Sequence, residues 1–328
     1  MASKFLKETL TKYESKRQSA IMLAENKKLD FYKKNPKLQD AEFKLNSLSA
    51  KLTKAILTNS SDVKNIKKEI AEIKKKKKEL EEKAHYKEKD FLPIFECSKC
   101  EDTGFIKTGI TSSMCSCLKQ QLFDTEYNKL NTYNIRNTSF NNFSLSKYSN
   151  KIDKDRYNSD ISPRENIKII KEVVDNFIKN FDDPNEKNLL FVGNTGLGKT
   201  FLSSCIANYF VNNGKTVLYQ TAPVMLEQLI NFHMNKTDTN ILDYLLSVDL
   251  LIIDDLGTEN INSMKFSDLY TIINSRLLNQ TNKITKTIIS TNLNLEELEK
   301  MYGERIISRF AGDYNICYFF GDDIRFNK

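Results

Sequence analysis

The chain has 328 residues and a net charge of +7, and its length is enough for two or three domains. No apolar run approaches the roughly 20 residues needed to cross a bilayer, and charges at Lys4, Lys7 and Glu8 replace the apolar core of a secretory signal. We therefore exclude membrane-spanning and secreted classes and expect a cytoplasmic protein whose six cysteines do not form structural disulfides.

Residues 1–90 are predicted to form two or three coiled-coil-like helices that bind a partner. They contain one proline, Pro36, and no glycine, and their apolar residues recur at steps of three and four. Residues 1–96 hold 24 basic and 15 acidic side chains, a net charge of +9, whereas residues 97–328 carry a net charge of −2. Such helices suit contact with nucleic acid or an acidic protein surface, and a purely structural hairpin with a solvated basic face is the alternative. We expect breaks at Asn35-Pro36 and over 58–62.

Residues 91–130 are predicted to form a zinc-binding knuckle. Four cysteines lie there in two pairs: Cys97, Cys100, Cys115 and Cys117. Four thiolates in a cytoplasmic protein fit one tetrahedral Zn²⁺ with a closed structural shell, and Gly104 supplies the turn between the pairs. The alternatives are an iron–sulfur cluster, four unrelated thiols, or His85 in place of one thiolate. Cys205 and Cys317 are predicted to be core residues.

After a polar linker at 131–165, residues 166–328 are predicted to form an α/β domain. Strands and helices alternate along this segment, which is typical of a mostly parallel sheet covered by helices on both faces. The predicted strands are 189–192, 216–221, 250–254, 286–290 and 315–320. The predicted helices after the first strand are 200–212, 223–233, 239–247, 263–279, 295–301 and 303–309.

A phosphate-binding loop follows the first of these strands. Its residues match the pattern G-x-x-x-x-G-K-T and are Gly193, Asn194, Thr195, Gly196, Leu197, Gly198, Lys199 and Thr200. The glycines allow a tight turn whose N–H groups point at a polyphosphate, Lys199 reaches the outer phosphates, and the Thr200 hydroxyl is suited to Mg²⁺. The sequence therefore predicts a nucleoside triphosphate site with ATP and Mg²⁺ as its ligands.

Two carboxylates are predicted to lie beside this loop. Asp254 and Asp255 end a run of four apolar residues, so they fall at the carboxyl edge of a buried parallel strand. We expect Asp254 to hold Mg²⁺ through water and Asp255 to orient the attacking water. An acidic turn after a core strand is the alternative.

Three polar residues further along the chain are candidates for sensing the nucleotide. Asn292 follows the next strand and is predicted to bridge the lytic water and the γ-phosphate, with an ordinary turn residue as the alternative. Arg305 and Arg309 lie four apart and so share one helical face. An arginine that reaches a neighbouring subunit's γ-phosphate raises turnover by about 10³–10⁵. Pairing with acids of their own subunit is the alternative for both.

Together, these motifs in this order resemble an AAA+ ATPase, and within that superfamily the bacterial replicative helicase loaders of the DnaC/DnaI-like group and the related IstB-like ATPases. Phe140-Asn141-Asn142-Phe143, with Ser146 and Tyr148, is similar to this group, as is the zinc-binding run that begins at Cys97. So are 162–166 and the closing 321–325. The resemblance covers about 91–328, whereas the helical region 1–90 is similar only in character.

The resemblance implies further roles for individual residues. Arg309 is the expected trans-acting arginine, Arg305 its neighbour or substitute, and Arg325 a late arginine near the γ-phosphate. Asp255 stands where many AAA+ proteins have the longer Glu, which implies slow hydrolysis that assembly or DNA stimulates. The chain leaves no room for a full helical lid after the last strand, which is a departure from many AAA+ proteins.

The function implied is an ATP-dependent loader of the replicative DNA helicase onto single-stranded DNA during replication initiation or restart. The helical region would bind the hexameric helicase, the AAA+ domain would self-associate, and the helices at about 223–246 would contact single-stranded DNA. An IstB-like ATPase that assists a transposase is the alternative. A coiled-coil structural ATPase is disfavoured because no Leu-Ser-Gly-Gly signature is present, and the arginine pair disfavours a metabolic kinase.

Overall fold

The computed structural model describes residues 2–58, 62–109, 111–126, 137–234, 241–260, 262–278 and 283–326, with the main chain alone for 2–5. The chain divides into two compact units, one formed by residues 10–112 and the other by residues 113–328 together with 1–9. The first residues of the helix predicted at 239–247 and the last residue of the helix predicted at 263–279 lie outside the described part. Within that part, no helix is both long enough and apolar enough to cross a membrane.

The N-terminal region is helical, as predicted. It contains three helices: α1 (Ala2–Lys34), α2 (Pro36–Leu57) and α3 (Val63–Lys83). The first break falls at Asn35, where Pro36 opens α2, because proline is tolerated in the first turn of a helix but not in its interior. Helices α2 and α3 pack against each other, and the Lys77 ammonium of α3 pairs with the Glu42 carboxylate of α2. The predicted break at Asn35-Pro36 is therefore confirmed, whereas residues 59–61 of the second predicted break lie outside the described part of the chain.

Short elements connect the helices to the C-terminal sheet. These are strands β1 (Phe105–Thr108) and β2 (Thr111–Met114), and helices α4 (Ser116–Glu126), α5 (Lys154–Tyr157) and α6 (Pro163–Lys179). Helix α6 is amphipathic, and the Ser162 side chain caps it by accepting a hydrogen bond from the Glu165 N–H at 3.2 Å. Its apolar face packs onto the sheet and so brings the segment that precedes it close to the phosphate loop.

Residues 188–318 form the predicted α/β domain around a parallel five-stranded sheet. Its strands are β3 (Asn188–Val192), β4 (Val217–Thr221), β5 (Leu250–Leu256), β6 (Lys286–Thr291) and β7 (Tyr314–Tyr318). Its helices are α7 (Lys199–Asn212), α8 (Ala222–His233), α9 (Ile241–Ser247), α10 (Ser263–Leu278) and α11 (Leu295–Asp313). The spatial order is β4-β5-β6-β3-β7, and every pairing is parallel. The first strand, β3, therefore lies inside the sheet, with β6 between it and β5.

The sheet is covered on both faces, as its apolar strands predict. Along β5, Leu251 and Ile253 belong to one apolar cluster, and Leu250 and Ile252 belong to the cluster on the opposite face. Successive side chains of a strand point to opposite faces, so a strand buried on both sides is apolar at every position. The predicted α/β P-loop architecture is confirmed.

Two local features concern the ends of predicted elements. The two helices predicted at 295–301 and 303–309 are confirmed as the two parts of α11, because a break at Gly303, whose φ of 73° is not helical, separates them. Strand β5 continues to Leu256 instead of ending at residue 254, because an irregularity between Ile253 and Leu256 lets the chain re-pair with β6. The irregular end of β5 carries Asp255, which lines the site described next.

Candidate ATP site

The phosphate loop joins the end of β3 to the start of α7. Its three glycines all have positive φ, and Gly193 has no room for a side chain because an added Cβ would lie 2.2 Å from the Phe319 carbonyl oxygen. Gly196 and Gly198, with φ of 80° and 93°, place the loop in the left-handed region that glycine adopts readily. Helix α7 begins at Lys199, so the N-terminal end of its dipole faces the loop, as an anion site requires.

The ammonium group of Lys199 is held inside the loop. Its Nζ donates hydrogen bonds to the Gly193 carbonyl, to the Asn194 carbonyl at 2.8 Å and to Asn292 Oδ1 at 2.7 Å. The residue is only 5% exposed. Burial lowers the pKa of Lys199 to about 8, although the nearby carboxylates of Asp255 and Asp254 act in the opposite direction. A buried cation held by neutral oxygen atoms is well suited to receive a polyphosphate.

Two distant segments support the loop from outside. The Tyr148 hydroxyl donates a hydrogen bond to the Leu197 carbonyl at 3.0 Å, and burial raises the pKa of Tyr148 to about 12. From the chain's closing segment, the Ile324 N–H donates to the Gly196 carbonyl at 2.9 Å. The sequence singled out Tyr148 as part of a family likeness but gave it no role. The structure places it as a support of the phosphate loop.

Asp254 is buried beneath the site and held by two hydroxyl groups. The Tyr219 hydroxyl of β4 donates to Asp254 Oδ2 at 2.9 Å, and the Ser290 hydroxyl of β6 donates to Asp254 Oδ1. These donors come from the two strands that flank β5, so they fix the carboxylate from both sides. The sequence did not identify Tyr219, because no motif marks a tyrosine at this position of the strand.

Asp255 occupies the irregular end of β5 and faces the cleft. Its φ of 56° is unusual for a residue with a side chain, and the turn is closed by Thr258, whose hydroxyl donates to the Asp255 carbonyl at 2.8 Å. Burial and the neighbouring Asp254 raise the pKa of Asp255, while Lys199 and Arg325 oppose this shift. The left-handed turn sends Asp254 and Asp255 into different environments, one buried and the other in the cleft.

Most residues predicted for the nucleotide site line one cleft of about 460 Å³, whereas Gly193, Asn194 and Asp254 do not. Its lining includes Thr195, Gly196, Leu197, Gly198, Lys199, Thr200, Asp255, Asn292 and Arg325, together with residues to which the sequence gave no role: Thr138, Phe201, Ser204, Thr258 and Ile324. Oxygen ligands from Thr200 and the two aspartates are of the type that Mg²⁺ prefers. The arrangement can therefore bind a nucleoside polyphosphate with an acidic group and an amide beside its terminal phosphate.

Arg305 and Arg309 do not line this cleft. Both lie in the part of α11 that follows the break at Gly303, where Arg305 is exposed and Arg309 is half-buried. The structure thus separates them from the nucleotide site of their own chain, whereas it brings Arg325 to that site.

The four cysteines predicted to bind zinc lie together. The sulfur atoms of Cys97, Cys100, Cys115 and Cys117 are all within 4.8 Å of one another, and none of the chain's six cysteines forms a disulfide. Tetrahedral zinc with Zn–S bonds of about 2.3 Å needs sulfur atoms about 3.8 Å apart, so the cluster fits this metal. Asp102 supports the first pair by accepting hydrogen bonds from the Glu96 and Cys97 N–H groups, both at 2.9 Å.

Relatives of this chain include two curated proteins described as replicative helicase loader DnaC. The protein from Buchnera aphidicola subsp. Baizongia pistaciae is 33% identical over 144 residues, which are 42% of this chain and 54% of that protein. The protein from Escherichia coli K12 is 30% identical over 135 residues, which are 40% of this chain and 53% of that protein. The chain thus spans about half the length of the curated relatives it matches.

Among solved structures, the crystal structure of DnaI is similar at a TM-score of 0.44 and 21% identity, covering 57% of this chain and 94% of that one. The sequence model of the family described as IstB-like ATP binding protein matches residues 127–311, more than half of the chain. That match spans the phosphate loop, both aspartates, Asn292 and the arginine pair. This chain belongs to the IstB-like family of ATP-binding proteins.

Proposed function

We propose that this chain is an ATP-dependent loader that places the replicative DNA helicase onto single-stranded DNA. The observation that carries the ATP-dependent part is the cleft in which Lys199, Asp255, Asn292 and Arg325 converge. The loader part is supported by the two relatives described as replicative helicase loaders. Because those matches span about half of each relative, the substrate and partners are part of the proposal.

The cleft supports ATP hydrolysis by positioning and charge. The amide N–H groups of the loop and the Lys199 ammonium bind the phosphates, and we assign to Asn292, which is bonded to that ammonium, the role of orienting the attacking water. Asp255 is the group that positions this water or accepts its proton. Mg²⁺, held by Thr200 and Asp254, would neutralise charge on the phosphates. Arg325 adds a positive charge from the same chain.

Self-association is part of the proposal, and the position of the arginine pair supports it. Arg305 and Arg309 lie outside their own cleft, so they are available to a cleft on a neighbouring copy. We assign Arg309 as the trans-acting residue and Arg305 as its neighbour or substitute. In this arrangement, ATP turnover depends on assembly, and a loader can thereby sense whether its neighbours are in place.

The N-terminal helices supply the surface for the helicase. Several of their large apolar side chains are well exposed, including Leu23 at 73%, Phe43 at 75% and Leu57 at 80%. Where exposed apolar side chains form a contiguous patch, that patch marks a partner-binding surface, and the proposal places the helicase there. Zn²⁺ bound by the four cysteines would hold the knuckle that follows these helices, and single-stranded DNA would contact α8 and α9.

An ATPase that assists a transposase is the alternative function that the sequence left open, and the relatives described as replicative helicase loaders do not favour it. The cysteine cluster and the basic helical region favour the loader. A pull-down with the full-length chain as bait, using a lysate of its own host, distinguishes the two. Recovery of the replicative helicase in the presence of ATP supports the loader, whereas recovery of a transposase without the helicase contradicts it.

The catalytic assignment has its own test. Lys199→Ala is expected to abolish ATP binding, whereas Arg309→Ala is expected to leave ATP binding intact and to lower turnover in the assembled state by about 10³-fold. Normal turnover by Arg309→Ala in that state would show that another residue acts in trans, and Arg305→Ala would then be measured in the same assay.

A further inference from the structure

One buried carboxylate ties the turn after β5 to the residue that precedes the break in α11. Glu259 is only 5% exposed and lies four residues after Asp255. Its Oε1 accepts a hydrogen bond from the Tyr302 hydroxyl, and its Oε2 accepts one from the Gly257 N–H at 3.0 Å. Tyr302 is 1% exposed and is the residue immediately before the break at Gly303. Neither Glu259 nor Tyr302 lines the ATP cleft.

The contact resists opening because of its burial. A buried carboxylate is costly unless its oxygen atoms are hydrogen bonded, and each oxygen of Glu259 has one donor that is neutral. Withdrawal of Tyr302 would leave one oxygen unsatisfied away from water. The two residues are 43 positions apart, so the bond joins two separate elements instead of stabilising one locally.

The turn at one end of this contact is rigid. Thr258 closes it by bonding to the Asp255 carbonyl, and Gly257 packs so closely that an added Cβ would lie 2.4 Å from a methyl carbon of Leu293. These two restraints do not involve Tyr302. The turn can therefore serve as a fixed anchor for Tyr302, and it should keep its own shape when the Tyr302 hydroxyl is removed.

The segment at the other end is held on both sides of a break. Gly303, with φ of 73° and ψ of 165°, interrupts the helical main chain, so helical hydrogen bonding does not carry the direction of the first part into the second. Buried apolar side chains hold the second part in the core, and a separate contact holds its beginning. Arg305 and Arg309 lie in this second part. The beginning of this part is held by the hydrogen bond that the Tyr302 hydroxyl donates to the Glu259 carboxylate.

We propose that Tyr302 and Glu259 are positioning residues whose hydrogen bond fixes the segment after Gly303, so that Arg305 and Arg309 are presented correctly to the ATP cleft of a neighbouring copy. This role rests on the proposed function, in which the arginines act in trans. It adds that the arginine segment is anchored to the turn that carries Asp255 of the same chain. A misplacement of about 1 Å is enough to lower catalysis by about 10²-fold.

A mixed-chain assay tests this role. The donor chain carries Lys199→Ala, so it cannot use ATP but still offers both arginines. The acceptor chain carries Arg305→Ala and Arg309→Ala, so it binds ATP but lacks the arginines. ATP turnover by the mixture then reports hydrolysis in the acceptor's cleft with the donor's arginines.

Tyr302→Phe is introduced either into the donor chain or into the acceptor chain, in separate experiments. In the donor we expect turnover by the mixture to fall about tenfold or more. In the acceptor we expect a change of less than about twofold, because the Asp255 turn is held independently. Tyr314→Phe in the donor is the matched control, since it removes another buried hydroxyl beside α11, one that bonds to Thr287 instead of Glu259. It should leave turnover unchanged.

Glu259→Gln provides a second variant if Tyr302→Phe folds poorly. The amide offers one acceptor oxygen to two donors, so the same loss in the donor role alone is expected. An equal loss of turnover with the substitution in either chain, or no loss of turnover with the substitution in the donor chain, would overturn the positioning role of Tyr302 and Glu259. A mixture no more active than its separate chains would instead overturn the trans arrangement itself, a failure visible before any Tyr302 substitution is made.

Discussion

The affinity of the chain for ATP is predicted to fall as pH rises through about 8, because of Lys199. Burial lowers the pKa of this ammonium to about 8 in the free site. The phosphates of bound ATP favour the charged form and so raise this pKa again. ATP therefore binds the protonated site preferentially, and binding near pH 8 must take up protons from solvent.

The size of the effect follows from the protonated fraction of free Lys199. With a pKa of about 8, that fraction falls from about nine tenths at pH 7 to about one tenth at pH 9. Affinity should thus fall about tenfold over these two pH units, provided that the pKa in the complex exceeds 9. At pH 8, binding should take up about half a proton per ATP.

Titration with a fluorescent ATP analogue at pH 7, 8 and 9 measures the loss of affinity. Calorimetry at pH 8 in two buffers with different ionisation enthalpies measures the proton uptake. Lys199→Arg is the control, since its guanidinium stays charged at pH 9 and any affinity it retains should not change with pH. Equal affinities of the unmodified chain at pH 7 and 9, with no proton uptake, would refute the reasoning.

Three further predictions concern the supports of the site and the cysteine cluster. Tyr148→Phe should lower the free energy of unfolding by about 1 kcal/mol, measured by thermal unfolding, and ATP affinity about fivefold, measured by nucleotide titration. Unchanged ATP affinity would contradict the role of the Tyr148 hydroxyl as a support of the phosphate loop. Gly193→Ala should abolish ATP binding and destabilise the chain by about 2–3 kcal/mol, because the new Cβ would meet the Phe319 carbonyl oxygen. Gly312→Ala changes a helical position that is open to solvent and should stabilise the chain by about 0.5–1 kcal/mol. Equal effects of the two substitutions would contradict the close packing of Gly193 against Phe319. Elemental analysis should find about one zinc per chain, and this zinc should be lost in Cys97→Ser but kept in the control Cys205→Ser. Iron in place of zinc, or zinc that remains bound in Cys97→Ser, would contradict the zinc assignment.

The nucleotide site was predictable from sequence because its chemistry fixes both residue type and spacing. The glycines and Lys199 of the loop are dictated by close approach to phosphate, and an apolar run that ends in Asp254 marks a buried strand at the same sheet edge. The sheet confirms this, since β5 and β3 are both paired with β6. The roles of the individual residues stay predictions until variants are measured.

The supports of the site were not predictable from local pattern. Tyr148 lies 49 residues from the carbonyl it contacts, and Tyr219 lies 35 residues from Asp254, so no spacing rule links the members of either pair. Such contacts depend on how the elements pack, which a single sequence does not specify. The left-handed Asp255 was missed for a related reason, because a residue with a side chain gives no sign of a positive φ.

Glycine was an informative signal within α11. Gly303 predicted a boundary between two helices, and the main chain is non-helical there, with φ of 73° and ψ of 165°. The buried Leu298 and Ile306, on opposite sides of the break, show that both parts pack into the core.

Helicase loading on closed circular single-stranded DNA is the most direct measurement of the proposed function. The circle has no end over which a ring can thread, so stable helicase binding requires a loader. With ATP, this chain should transfer the replicative helicase of its own host onto the circle, as detected by co-elution of helicase and DNA, and Lys199→Ala should not. Helicase that reaches the circle equally well without this chain, or never reaches it in its presence, would contradict the account.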